Sequence, residues 1–188
     1  MNARVLIAYA SRTGSTAEVA KAVGQEMRAA GWQTDVLPVE GVRDITGYDA
    51  LILGTAIRIG KPLSEAMRFA RQHQGDMATR PVAYFMLCDT LHEDTPHSRE
   101  VAQDYLTPLR KIRQPVSEGL FGGVKDFSTA HPLLRWFAMR VLRLAEGDWR
   151  NWDEIRAWAA ALPDKLAMAG PSVPASPCEP PVAVTASV

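Results

Sequence analysis

The run Val82-Ala83-Tyr84-Phe85-Met86-Leu87 shows no polar alternation. A strand with one face in water alternates apolar and polar residues, so a run without that alternation has both faces covered. Covering both faces of a sheet requires parallel strands joined by helices that cross over it. Further short apolar runs lie at 5–10, 34–39, 50–53 and 116–122. Between the first two, Val19, Ala20, Val23 and Met27 recur at helical spacing until Gly31. A second helix opens at Pro62 and reaches about Gln74, and a third spans 98–112. The expected architecture is α/β: a three-layer sandwich around a five-stranded parallel sheet, in the order 2-1-3-4-5 with right-handed crossovers.

Beyond the fifth run, Glu146-Gly147-Asp148 breaks a strongly apolar helix over 133–145. Asn151 then reads as the N-cap of a last helix, with Trp152-Asp153-Glu154 as its first turn. Ile155, Trp158, Ala159 and Leu162 share one face of it. A length of 188 residues suits one domain, over 1–168. Residues 169–188 are rich in Pro, Ala, Ser and Val without periodicity and read as a disordered tail.

Lys plus Arg and Asp plus Glu both number 21, so the net charge is zero. A nucleic-acid partner would need a basic excess. Cys88 and Cys178 give neither a disulfide framework nor metal-ligand spacing, so no metal is expected. The sparse cysteines fit a cytoplasmic setting. The first apolar run is too short for a signal peptide, and no run approaches a membrane span.

The most informative segment is Ser11-Arg12-Thr13-Gly14-Ser15-Thr16, which joins the first strand to the first helix. Ser11, Thr13, Ser15 and Thr16 offer hydroxyls, Gly14 lets the backbone curl, and the helix start adds unpaired N–H groups. Together they make a cradle for a phosphate monoester. The Walker motif and the dinucleotide fingerprint are both absent. A capped helix start rich in small residues is the alternative.

Ser11-x-Thr13-Gly14-x-Thr16 resembles the phosphate loop of the flavodoxin-like family, and the resemblance extends over roughly residues 3–167. It implies FMN as cofactor, with its ring held by the loops after strands three and four. On this chain those are residues 54–60, containing Thr55, Ala56, Ile57 and Arg58, and residues 88–92, containing Cys88, Asp89, Thr90 and His92. The Trp and Tyr that flank the ring in many flavodoxins are missing from both loops.

The pattern Gly54-x-x-Ile57-Arg58-x-Gly60, with an apolar, basic segment after strand five, resembles the bacterial quinone-dependent protoporphyrinogen oxidases. That resemblance implies heme biosynthesis: hydrogen taken from a porphyrinogen, and electrons passed to a membrane quinone. Arg58 is the candidate for charge beside the flavin and for pairing with substrate carboxylates. Asp89 and His92 are candidates for moving protons, the alternative being a turn Asp and a solvent His. Cys88 reads as a small buried residue, and His73, His97 and His131 as surface residues.

The segment from Leu133 to Ala145 places Arg135, Arg140 and Arg143 within one arc of about 140° at helical spacing. Leu133, Leu134, Phe137, Val141, Leu142 and Leu144 fill the other side. Two readings stay open: packing on the sheet or in a homodimer, or peripheral contact with the inner face of the membrane. The expected function is that of a flavin-dependent oxidoreductase. A flavodoxin-type electron carrier docking on redox proteins is the main alternative, disfavoured by the zero net charge. A non-redox FMN-binding module and an NAD(P)H:quinone reductase complete the set, and no nicotinamide site is visible.

Overall fold

The computed structural model describes residues 3–125 and 147–170. The opening apolar run forms strand β1 (Arg4–Ala10), which leads into helix α1 (Ser15–Ala29). Parallel neighbours flank β1: β2 (Gln33–Pro38) on one side, β3 (Ala50–Arg58) on the other. β3 folds back on a two-residue partner, β4 (Lys61–Pro62). Two helices follow, α2 (Ser64–Gln72) and the short α3 (Gln74–Ala78). β5 (Val82–Cys88) then pairs in parallel with β3. Helices α4 (Pro96–Tyr105) and α5 (Thr107–Arg110) lead to β6 (Ser117–Gly122), parallel to β5. The order is β2-β1-β3-β5-β6. Counting the parallel strands alone, this is the 2-1-3-4-5 arrangement expected from the sequence.

Side chains alternate between the two sheet faces. Leu6, Ala8, Leu51, Leu53, Tyr84 and Met86 join Phe69, Ala70, Ala102 and Leu109 in one buried cluster. Val5, Ile7, Ile52, Phe85 and Phe121 join Val19, Val23 and Met27 of α1 in the other. The last two helices, α6 (Trp152–Ala160) and α7 (Leu162–Ala169), complete that second layer through Ile155, Ala159, Leu162 and Leu166. All seven residues of β5 are buried, which is why that run carries no alternation. Each large apolar side chain so covered contributes about 1.5–3 kcal/mol. The one hydroxyl in the run is satisfied: Tyr84 donates to the Arg113 carbonyl at 2.9 Å, and burial pushes its phenol pKa up.

Several boundaries differ from the sequence reading. The third strand runs to Arg58 rather than ending at Leu53. Gly54 does not break it, because this glycine leaves room for the ring of Phe85, its register partner on β5. Pro62 belongs to β4, and the helix after it starts at Ser64. The 98–112 helix is two pieces, α4 and α5. The last helix divides at Ala161, ahead of Pro163, which has no N–H to continue the ladder. His73 is buried at 5% exposure with its ring 4.7 Å from that of Phe69, so it is not a surface residue.

Beyond the sheet, β7 (Val124–Lys125) and β8 (Gly147–Asp148) pair antiparallel. Lys125 and Gly147 are register partners, so residues 125 and 147 lie side by side. The proposed helix over 133–145, with Arg135, Arg140 and Arg143, lies outside the described residues, as do His131 and residues 171–188 of the tail. Among the described residues, no helix is long and apolar enough to cross a membrane.

Candidate functional site

The carboxyl ends of β1, β3 and β5 point the same way, because these strands are parallel neighbours. Ligands of open parallel sheets bind outside these ends. Here they border a cleft of about 300 Å³. Arg12, Thr13 and Ser15 line it from the loop after β1, Ala56, Ile57 and Arg58 from the end of β3, and Cys88 and Asp89 from the end of β5.

The first loop is built from its own side chains. Ser11 Oγ accepts the N–H of Gly14 at 3.0 Å. Gly14 sits at φ 93°, a left-handed conformation that a Cβ would strain. Among the described residues no side chain caps α1, which leaves the first N–H groups of the helix without an intrahelical partner. Thr16 Oγ1 is buried and has no hydrogen-bond partner among the described residues. A buried hydroxyl without a partner costs about 1–3 kcal/mol. Uncapped amides, an orphaned hydroxyl and the positive end of α1 form a cradle complementary to a phosphate. Arg12 crosses to Glu65 of α2 at 2.8 Å, which ties the loop to the next helix.

The second wall is a hairpin. Ile57 pairs with Pro62 and Arg58 with Lys61, leaving Ile59 and Gly60 at the tip. Both have positive φ, 51° and 68°, as a two-residue type I′ turn requires. At the base, Thr55 Oγ1 accepts the Leu63 N–H at 3.1 Å and donates to the Ala56 carbonyl at 2.9 Å. Thr55 is fully buried, so its side chain shapes the wall rather than facing the cleft. Among the described residues Ile59 is the sole non-glycine residue with positive φ, a conformation that costs about 1–2 kcal/mol. Arg58 makes no ion pair among the described residues.

The third wall follows β5. Cys88 is buried, and burial raises its thiol pKa, which keeps it protonated. Thr90 Oγ1 lies 3.1 Å from the Tyr105 hydroxyl. Tyr105 also packs under the hairpin tip, its ring 3.3 Å from where a Cβ on Gly60 would sit. One tyrosine therefore supports both loops. His92 Nδ1 lies 2.9 Å from the carbonyl oxygen of Asp89, not from its carboxylate. His92 borders an adjoining pocket of about 160 Å³ with Asp94, Arg99, Trp149 and Glu154.

Four further residues line the main cleft: Leu63, Leu87, Gly123 and Val124. Leu87 adjoins the second expected ring loop, whereas nothing in the sequence reading places Leu63, Gly123 or Val124 in the site. The Gly122-Gly123 pair was the available signal. A Cβ at 122 would sit 2.2 Å from the Trp149 carbonyl oxygen, and the Gly123 N–H bonds the Cys88 carbonyl at 3.0 Å.

A model of the flavodoxin domain matches residues 6–144. The chain belongs to the flavodoxin domain family. Over 182 residues this flavodoxin-domain protein is 24% identical to protoporphyrinogen IX dehydrogenase (quinone) of Escherichia coli, across 86% of its own length and 97% of the other's. Over 95 residues it is 30% identical to an NAD(P)H dehydrogenase (quinone) of Rhodopseudomonas palustris, across 39% of this chain and 48% of that protein. Among solved structures, a short-chain flavodoxin associated with a bacterial microcompartment superposes with a TM-score of 0.57 at 14% identity, over 89% of this chain and 98% of the other. A mutant flavodoxin of Fusobacterium nucleatum bound to flavin mononucleotide gives a TM-score of 0.53 at 13% identity, over 89% and 96%. Both superpositions show the flavodoxin fold.

Proposed function

We propose that this protein is an FMN-dependent oxidoreductase of the quinone-linked protoporphyrinogen dehydrogenase type. The observation that carries the reading is one cleft combining a phosphate cradle with apolar walls and a charged rim. The likeness to the Escherichia coli enzyme over nearly its full length supports the choice of reaction.

FMN, when bound, supplies the exchange of electrons between a hydrogen donor and a quinone. The chain's own residues bind and orient it. Thr13, Ser15 and Thr16, with the first amides of α1, hold the phosphate, and the helix N-terminus offsets its charge. Ser11 and Gly14 shape that loop, and the Arg12–Glu65 pair anchors it. Ala56, Ile57, Leu63, Leu87 and Val124 provide the apolar surface that excludes water from the ring. Cys88, lining the cleft at the end of β5, and Thr90, braced by Tyr105 in the loop that follows, would help to hold the ring. Arg58 brings positive charge to the rim, which favours an anionic reduced state. Asp89, at the cleft, is the proton carrier, whereas His92 bonds the Asp89 carbonyl, lines the adjoining pocket and takes no part in that transfer.

Anaerobic mixing of the FMN-loaded protein with protoporphyrinogen IX and a menaquinone analogue, followed by porphyrin fluorescence, tests this reading. Quinone-dependent porphyrin formation above the protein-free rate is the expected result. No porphyrin, with the flavin still reducible by dithionite, would discard the substrate and leave an electron carrier.

A further inference from the structure

Ile59 is 93% exposed at the tip of the β3–β4 hairpin, beside the cleft that Arg58 lines. Its φ of 51° is a conformation that β-branched residues avoid, and turns of this kind favour Asn, Asp or Gly there. The side chain buries nothing in return. Strain combined with exposure in an apolar residue at a cleft marks a contact made to something outside the fold. The neighbouring residue narrows what that is. Arg58 carries a full charge and has no ion pair among the described residues, whereas Arg12, on the same cleft, is held by Glu65 at 2.8 Å. The hairpin itself is braced: Thr55 closes its base, and Tyr105 supports Gly60. It therefore presents a guanidinium and an apolar side chain side by side on a rigid support.

We propose that the hairpin tip is the substrate-recognition element, Arg58 pairing with a carboxylate of an apolar ring compound while Ile59 covers its ring face. This rests on the oxidoreductase reading above and assigns to that cleft the ring-bearing carboxylate rather than the quinone. A guanidinium–carboxylate pair supplies orientation, since its parallel hydrogen bonds are directional. An exposed apolar residue next to it supplies area without a competing hydrogen bond.

The test is binding of protoporphyrin IX and of its dimethyl ester to the FMN-loaded protein, followed by fluorescence quenching, with thermal melting of each variant. The wild type is expected to prefer the free acid at least tenfold. Arg58→Gln is expected to erase that preference. Ile59→Asn is expected to weaken both ligands about fivefold while the melting temperature stays level or rises, because the strain is relieved. A variant that merely unfolds would lower the melting temperature instead, and that result would overturn the proposal for Ile59. Equal binding of acid and ester by the wild type, or wild-type binding by Ile59→Asn, would overturn the proposal alone while porphyrin formation persisted. A wild type that neither binds porphyrin nor forms it would remove the protoporphyrinogen dehydrogenase reading and this proposal with it.

Discussion

Thr55 Oγ1 accepts the backbone N–H of Leu63 at 3.1 Å, sharing it with the Ala56 carbonyl at 3.3 Å, so a buried hydroxyl helps to close the base of the hairpin that walls the cleft. The same oxygen donates to the Ala56 carbonyl. Thr55→Val keeps the shape and removes both bonds. The expected loss is about 1–2 kcal/mol of stability in urea denaturation. FMN affinity should fall several-fold with it, measured by flavin fluorescence, since Ala56 and Ile57 lose their support. Unchanged affinity at reduced stability would mean that the hairpin does not position the ring.

Thr16 offers the opposite signature. Its hydroxyl is buried and has no hydrogen-bond partner among the described residues. Thr16→Val should leave the stability of the FMN-free protein unchanged or slightly raised, because an unsatisfied polar atom is removed. FMN binding should weaken about tenfold, roughly 1.4 kcal/mol. Wild-type affinity in this variant would exclude Thr16 from the phosphate site.

Gly54 tests the packing behind the site. A Cβ there would lie 2.1 Å from the Phe85 ring, deep in the second core cluster. Gly54→Ala should cost about 3 kcal/mol through overpacking, seen as a lower urea midpoint. A midpoint equal to the wild type would mean that β3 and β5 part easily, contrary to their register.

Two surface carboxylates give the pH dependence. The Arg99 guanidinium bonded to Asp94, and the Arg150 guanidinium bonded to Asp148, each hold the carboxyl below its ordinary pKa. A carboxyl whose folded pKa is depressed adds stability above its unfolded value, near 3.9, and that contribution is lost as pH falls through the lower folded value. Stability should therefore decline below about pH 4. Arg99→Gln should flatten that decline in acid-titrated urea curves, and an unaltered slope would count against the Asp94 pair. The effect is modest, because Asp94 and Asp148 both face solvent.

Sequence alone carried a good deal of this. The unbroken apolar run of β5 required a sheet covered on both faces, and the alternation of strands with helices gave the strand order. The hydroxyl-rich loop was legible because strand, glycine and helix start are consecutive, and Asn151 was legible as a cap, its side chain accepting the Glu154 N–H. These are local signals, set by periodicity and by the unpaired amides at a helix end.

What the sequence did not determine is the site's enclosure. Gly54 reads as a strand break until the Phe85 ring is seen to occupy its missing side chain. Leu63, Gly123 and Val124 reach the cleft through hairpin and edge pairings, and His92 turns to an adjoining pocket because its ring bonds the Asp89 carbonyl. Ile59 falls within the loop 54–60 expected beside the flavin ring, but its positive φ and its exposure appear only in the structure. The reason is physical. Periodicity and capping are short-range properties written in consecutive residues, whereas the walls of a cleft depend on which distant segments pack together, and that is decided only when the whole core closes.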